Sequence, residues 1–368
     1  MKRQFCALVA AACVALLSAL PVSAFAPQSA AAANAIIWLH TQQAADGTVA
    51  GSASRTEDTV IGLVANGRSI TDFSSGGKSP IDSLRSHIGS EEQTAGNIGG
   101  LIMAVAAADL DPTAFAGRNL LQDLACTYNP STGAYNQQLF NDGLALLALP
   151  AGAASSKAVA FLADRQQADG GWEFSPGYGS DTNTTAIAVL ALRSAGGMSA
   201  VGKERALAYL KTQQQPSGGF AYATGSGDSD PNSDAAVIEA LLALGDDPTG
   251  AGWTLAGKNA VTDLLTFQFE NGGFGFFRPN SSPTAAPDAL STSQALTALA
   301  SKYRPVRRTA GTMPSSCPTV ATTPAPTPAA RRLAGTGGQP MAELPMLPAM
   351  GGIAIVVLGW RLRRRRAG

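Results

Sequence analysis

The chain has 368 residues with 26 basic and 26 acidic side chains, so its formal net charge is zero. The charge is unevenly spread, because residues 25–303 hold 14 Lys or Arg and 25 Asp or Glu, a net charge of −11. Such a body repels the phosphate backbone, which argues against nucleic acid as a partner. No CxxC spacing occurs, so a cysteine zinc site is not indicated.

The N-terminus has the pattern of a secretory signal. Lys2 and Arg3 precede an apolar stretch over residues 5–20, and small residues follow it. This arrangement predicts a cleaved signal peptide over residues 1–24. We interpret the Ala-rich stretch that follows, residues 25–33, as a short disordered leader.

One phrase recurs along residues 34–303, about every 45 residues. Its full form contains a leucine, a glutamine four residues later, a glycine four residues after that, and an aromatic residue two further on. The clear glutamines are Gln43, Gln166, Gln214 and Gln268. The glycine gives a left-handed turn, the glutamine amide can satisfy backbone groups, and the aromatic ring can lock neighbouring units together.

Each repeat unit contains two helical patterns. The first is amphipathic, as at Lys203–Gln214, and the second is short and apolar nearly all round. The apolar segments are Asp142–Leu149, Thr185–Leu192, Ala235–Leu244 and Ser291–Leu299. An amphipathic outer helix paired with a buried inner helix predicts an all-α fold. We expect an (α/α)6-like toroid of about six helical hairpins over residues 34–303, with weak strand signals.

The segment Lys157–Trp172 resembles the QW motif of squalene and oxidosqualene cyclases. The resemblance covers residues 34–303 and extends to protein prenyltransferase β-subunits and to the α-domain of cobalamin carriers. It implies a closed ring of helix pairs around a central cavity. The motif is structural in that superfamily, so it does not imply activity.

Acidic residues precede the apolar helices at equivalent places. Asp181, Asp230 and Asp288 each lie eleven residues before a leucine. They either form a carboxylate ring at the cavity rim, together with Asn183 and Asn232, or cap the helices that follow. If the protein is an enzyme, its candidate acids are Asp181, Asp230, Asp234 and Asp288.

The resemblance to active enzymes is incomplete at their catalytic positions. A class II terpene cyclase protonates an alkene with the central acid of a DxDD motif, and Asn183 and Thr184 replace two of the acids here. An amide or a hydroxyl cannot deliver a strong-acid proton. Prenyltransferases hold zinc by Asp, Cys and His, but His40, His87 and Cys126 have no ligand spacing.

Two further features bear on cofactors and crosslinks. An alternation of oxygen-bearing side chains partly matches a calcium-binding loop, at Asp228, Asp230, Asn232, Asp234 and Glu239. Pro231 and Ser233 depart from that pattern, and the alternative is a polar turn; no other cofactor is expected. Cys126 and Cys317 remain after signal removal, and outside the cell they either pair or stay free thiols.

The C-terminal region predicts attachment to the cell surface. Residues 304–340 are rich in Pro and Thr and indicate a disordered linker. Residues 341–368 hold an apolar segment, expected to be a helix, and an Arg cluster, which fits a membrane anchor with a cytoplasmic tail. Leu333–Gly337 resembles a sortase signal with Ala334 in the proline place, so wall attachment is the alternative.

These observations predict a secreted cell-surface toroid. We expect it to bind a small apolar ligand or a surface protein, in its cavity or at its rim, without catalysis. The alternatives are a divergent terpene cyclase or prenyltransferase-like enzyme acting on an isoprenoid, a cobalamin-carrier-like binding domain, and a purely structural surface protein.

Overall fold

The computed structural model describes residues 25–89, 94–314 and 317. The predicted signal peptide, the rest of the linker and the C-terminal tail lie outside the described residues. The outer helices are α1 (Ser29–Thr41), α3 (Pro80–Ser86), α5 (Leu120–Thr127), α7 (Ser156–Ala163), α9 (Ala200–Gln213) and α11 (Ala260–Leu265). The inner helices are α2 (Ala53–Ala65), α4 (Ala95–Ala107), α6 (Leu139–Ala148), α8 (Thr182–Ser194), α10 (Pro231–Leu244) and α12 (Ala289–Leu299). Two short antiparallel strands, β1 (Trp172–Glu173) and β2 (Ser180–Asp181), precede α8.

The six inner helices form a closed ring. Each packs against the next in chain order, and α12 packs against α2. At that closing contact the Asn66 side chain, just after α2, donates to the Leu296 carbonyl of α12 at 2.9 Å. The outer helices pack on the outside of the ring, and the predicted six-unit α/α toroid is confirmed.

The recurrent glutamines join neighbouring units. Gln166 Nε2 donates to the Gly170 carbonyl within its own turn and to the Gly202 carbonyl of α9, both at 2.9 Å. Gln268 Nε2 makes the matching pair of bonds, at 2.9 Å each, to Gly272 and to Ala31 of α1. Since Ala31 lies in the first unit and Gln268 in the last, this amide closes the ring.

The glycine of the phrase is required by close approach as well as by backbone conformation. Gly272 has φ +94°, and a Cβ added there would lie 2.5 Å from the Asn34 carbonyl oxygen of α1. Gly170 has φ +93° and a comparable distance of 2.2 Å to the Arg205 carbonyl oxygen. An L side chain is strained at such φ values, and no side chain fits this contact.

The aromatic residue of the phrase is packed inside each joint. Trp172, Phe220 and Phe274 are at most 1% exposed. The Trp172 backbone N–H donates to Thr185 Oγ1 at 2.9 Å, and the Phe274 N–H donates to Thr292 Oγ1 at 2.9 Å. The aromatics therefore bind one unit's turn to its inner helix and do not line the cavity.

The domain edges differ from the sequence-based expectation. The predicted leader, residues 25–33, contains the buried Phe25 and the start of α1. Residues 304–314, predicted as linker, pack against the toroid through Arg304 and the half-buried Val306. Composition alone hid these contacts, because they depend on single side chains in otherwise loop-like segments. Within the described residues, no helix is both long and apolar enough to span a bilayer.

Candidate functional site

A cavity lies inside the ring, among the first turns of the inner helices. Its volume is about 200 Å3, within about 1510 Å3 of empty space that includes the open mouth. Apolar side chains of the inner helices line part of the wall, including Ile61, Met103, Leu144 and Ile187. Phe174 and Tyr222 come from the loops that precede α8 and α10. This partly enclosed space of mixed polarity is the candidate ligand site of the domain.

Four asparagines line this cavity, one from the first turn of each of four successive inner helices. They are Asn97, Asn141, Asn183 and Asn232. The Asn141 amide donates to Gln138 Oε1 at 2.7 Å, and Asn232 Oδ1 accepts from Ser291 Oγ at 3.0 Å. Asn183 Oδ1 is buried with no hydrogen-bond partner among the described residues. This oxygen has no surface open to the cavity, so a ligand would meet other parts of the half-buried Asn183 side chain.

Asp181 both caps a helix and lines the cavity. Its Oδ1 accepts the Thr184 backbone N–H at 2.7 Å, which caps α8. The side chain is 3% exposed, and this burial raises the pKa of the carboxyl to about 7, against the hydrogen bonds from Thr184 and Asn183, which lower it. Asp181 therefore has both of the roles that the sequence left open, as the cap of α8 and as a carboxyl group at the cavity.

Asp230 and Asp288 act as caps away from the cavity wall. Asp230 Oδ1 accepts the Ser233 backbone N–H at 2.9 Å, and burial raises its pKa to about 6. Asp288 Oδ1 accepts the Ser291 backbone N–H at 2.8 Å, while its Oδ2 accepts the Phe276 N–H at 3.0 Å. Neither carboxyl is among the groups that line the cavity.

Asp234 belongs to a joint between units. Its Oδ1 accepts the Phe220 backbone N–H at 2.6 Å, in the position that Thr185 and Thr292 occupy in other units. Burial and the neighbouring Asp263 carboxylate raise the pKa of Asp234 well above its usual value. The role of Asp234 in this structure is to hold the joint.

The residues of the predicted calcium loop do not converge on one point. Asp230 and Asp234 accept backbone hydrogen bonds, whereas Glu239 Oε2 accepts from Arg304 Nε at 3.1 Å. Glu239 lies two helical turns along α10 and faces inward, away from the loop that holds Asp228. In the part of the chain that the structure describes, no group of three or more His, Cys, Asp or Glu side chains could hold a metal ion.

The histidine and cysteine side chains considered as zinc ligands also do not lie together. His40 Nε2 hydrogen-bonds to the Ser74 carbonyl at 3.0 Å, and His87 Nε2 lies 3.8 Å from Asp46 Oδ2. The structure joins Cys126 to Cys317 in a disulfide.

A buried charge cluster beside the cavity was not predicted from the sequence. Arg304 enters the ring after α12, where its backbone N–H donates to Glu239 Oε2 at 2.9 Å and its Nη1 lies 3.6 Å from Asp58 Oδ1. Arg304, Asp58 and Glu57 line the cavity. Burial raises the pKa of Asp58 and of Glu239, and the Arg304 guanidinium opposes both shifts. The sequence feature that could have indicated this cluster is the acidic pair Glu57-Asp58, which lies inside the inner helix α2.

Comparisons with known proteins agree with this architecture. Residues 140–303 match the family model described as the prenyltransferase alpha-alpha toroid domain. The fold is similar to that of the type II terpene cyclase MstE from Scytonema, with a TM-score of 0.55 and 16% identity over 74% of this chain and 97% of that one. A crystal structure of a protein from Actinoplanes is similar with a TM-score of 0.52 and 14% identity, over 74% of this chain and 99% of that one. A search of curated proteins gave no match. At these identities the structural similarity concerns the fold.

Proposed function

We propose that this chain, an α/α toroid of the terpene cyclase and prenyltransferase superfamily, binds a small ligand in its central cavity and does not convert it. The observation that carries the proposal is the set of four asparagines in the cavity wall. Carboxamides donate and accept hydrogen bonds but do not act as acids, so they suit recognition better than proton transfer.

The cavity chemistry favours a compact amphiphile. Ile61, Met103 and Ile187 offer apolar surface, while the four asparagines offer carboxamide groups. A ligand with a short apolar chain and one hydroxyl, which can donate and accept, meets both requirements. The cavity volume of about 200 Å3 lies below the usual 300–1,000 Å3 of drug-sized sites, which supports a short chain.

The experiment has a binding arm and a turnover arm. In the binding arm, the probe is geraniol, which has one apolar chain and one hydroxyl donor. We expect geraniol to raise the melting temperature of the wild type, and Asn183→Leu, which removes one of the carboxamides in the wall, to reduce that shift. Asp288→Asn serves as the control, since this cap lies off the cavity wall. Equal shifts in all three proteins, or none, would contradict the proposed site.

In the turnover arm, the protein is incubated with geranylgeranyl dihydroxybenzoate, the compound described as substrate in a complex of MstE. We expect mass spectrometry and chromatography to recover it unchanged. A cyclised product that disappears in Asp181→Asn but persists in Asp288→Asn would establish catalysis and overturn the non-catalytic assignment.

A divergent isoprenoid-converting enzyme is the second candidate. One observation favours it: the Asp181 carboxyl lies in the cavity wall, and burial raises its pKa to about 7, so a large fraction stays protonated at neutral pH. Against this role, Asp181 Oδ1 is engaged by the Thr184 N–H as the cap of α8. Turnover that depends on Asp181, with geraniol as well as with geranylgeranyl dihydroxybenzoate, would establish this second candidate, and recovery of both compounds unchanged would favour the first.

The proposal places this binding domain at the cell surface. The support comes from the sequence alone, through the predicted signal over residues 1–24 and the predicted anchor over residues 341–368. Fractionation of cells that express the full chain tests it. We expect the protein with the membrane or wall, and its recovery in the cytoplasm would contradict this placement.

A further inference from the structure

Residues 304–314 and Cys317, here called the strap, run across the end of the ring opposite the cavity mouth. The strap follows α12 and starts inside the ring at Arg304. Arg307 then pairs with Asp109, just beyond the C-terminus of α4. Arg308 Nη1 donates to the Ser194 carbonyl at the C-terminus of α8, at 3.2 Å. The mouth lies at the N-terminal ends of the inner helices, so the strap covers the other end.

Arg304 is the deepest point of the strap. Its side chain is 12% exposed and lies between Asp58 of α2 and Glu239 of α10, the two inner helices that flank α12 in the ring. Arg304 also lines the cavity. The strap therefore supplies part of the cavity floor through Arg304.

The far end of the strap is held covalently. Cys317 is bonded to Cys126, the seventh residue of α5. Between Arg304 and this disulfide, Thr309 is buried, and Val306 and Met313 pack against the hydrophobic core. The strap is thus fixed at one end by an ion pair and at the other by a disulfide.

Two features of the contact between strap and ring favour its separation. Of eight buried side-chain atoms without a hydrogen-bond partner in the described residues, two lie at this contact: Thr309 Oγ1 and Glu239 Oε1. Buried polar atoms are normally satisfied, so these two indicate an imperfect fit. Buried ion pairs such as Arg304–Glu239 also give little net stability, because desolvation offsets the attraction.

We propose that the strap is a disulfide-latched floor of the cavity, and that reducing Cys126–Cys317 releases it while the toroid stays folded. A small dithiol supplies two electrons and two protons, so that one S–S bond becomes two thiols and the dithiol becomes a disulfide. The strap then depends on its noncovalent contacts alone, which are the Arg304 cluster, the contacts of Arg307 and Arg308, and the packing of Val306 and Met313. This inference stands without the proposed ligand, since it concerns the strap itself.

Hydrogen–deuterium exchange on the folded protein tests the proposal. Backbone amides of residues 302–314 are compared before and after treatment with dithiothreitol. We expect exchange in the strap to become at least about tenfold faster on reduction, while the amides of α8 keep their rates. The double variant Cys126→Ser/Cys317→Ser should exchange like the reduced wild type and should not respond to dithiothreitol.

Two results would overturn the proposal. If amide exchange in the strap does not change on reduction, the disulfide is not needed to keep the strap on the ring. A parallel increase in the strap and in α8 would mean that the disulfide is a general staple of the fold. If geraniol fails to bind but the strap responds as expected, the proposed function fails and the latch stands.

Discussion

The joint between the last and first units can be tested with a single methyl group. In Gly272→Ala, the added Cβ would lie 2.5 Å from the Asn34 carbonyl oxygen and 3.0 Å from the Asn34 Cβ, so α1 must move outward. That movement stretches the bond from Gln268 Nε2 to the Ala31 carbonyl, now 2.9 Å. The positive φ costs about 1 kcal/mol, and a lost buried hydrogen bond adds about 1–3 kcal/mol. We therefore expect a loss of about 3 kcal/mol in the free energy of unfolding.

Gly177→Ala is the matched control. Gly177 has φ +86°, close to that of Gly272, but a Cβ added there meets nothing within 4 Å. We expect this variant to lose only the backbone contribution, about 1 kcal/mol. Urea unfolding followed by far-UV circular dichroism measures both losses. Equal losses in the two variants would refute the claim that close approach to α1 fixes the glycine.

Three further predictions concern buried charges and the disulfide. Burial raises the pKa of Asp142 from 3.8 to about 6, so the folded state keeps a proton that the unfolded chain loses. The stabilisation that protonated Asp142 gives the folded state is complete below pH 4 and falls by about 3 kcal/mol between pH 4 and pH 6. The free energy of unfolding of Asp142→Asn should therefore rise relative to that of the wild type across this range. Parallel profiles of unfolding free energy against pH in the two proteins would contradict this. Arg304→Gln should lower the free energy of unfolding by about 3–5 kcal/mol, because Glu239 is left buried without its cation. In urea unfolding, the double variant Arg304→Gln/Glu239→Gln should regain much of that loss. If it regains none, the pairing of Arg304 with Glu239 is contradicted. Reducing Cys126–Cys317, separated by 191 residues, should lower the free energy of unfolding of the ring by much less than the about 4–5 kcal/mol that so long a loop allows, because the disulfide holds the strap; calorimetry with and without dithiothreitol measures the loss, and a loss of that full size would contradict the latch.

The repeated phrase allowed the ring to be predicted because each of its positions has a strict physical requirement. Only glycine fits the contact at Gly272, and only a side chain with a suitably placed donor can reach two carbonyls as Gln268 does. Such requirements leave the same residue types at the same spacing. They are therefore visible in one sequence without the structure.

The cavity floor and the inner helix α2 could not be predicted in the same way. Arg304 and Glu239 meet although they are 65 residues apart, and no local pattern marks that contact. The inner helix α2 escaped notice because Thr56–Thr59 is a polar run inside it. Its acids face the cavity or Arg304, so they serve the site and weaken the apolar signal.

The acids at the helix starts show how capping and site roles overlap. Asp181, Asp230 and Asp288 cap three inner helices in the same way, yet only Asp181 lines the cavity. The sequence predicted the caps from residue type and position. It could not separate the three, because the difference depends on which side chain the ring turns toward its centre.

A crystal structure of the protein grown with geraniol tests most directly whether the cavity binds a ligand. We expect intact geraniol inside the ring, with its hydroxyl hydrogen-bonded to asparagine side chains of the wall and its chain along Ile61 and Ile187. An empty cavity at saturating geraniol, with the probe bound elsewhere or absent, would contradict the claim that this cavity is the binding site.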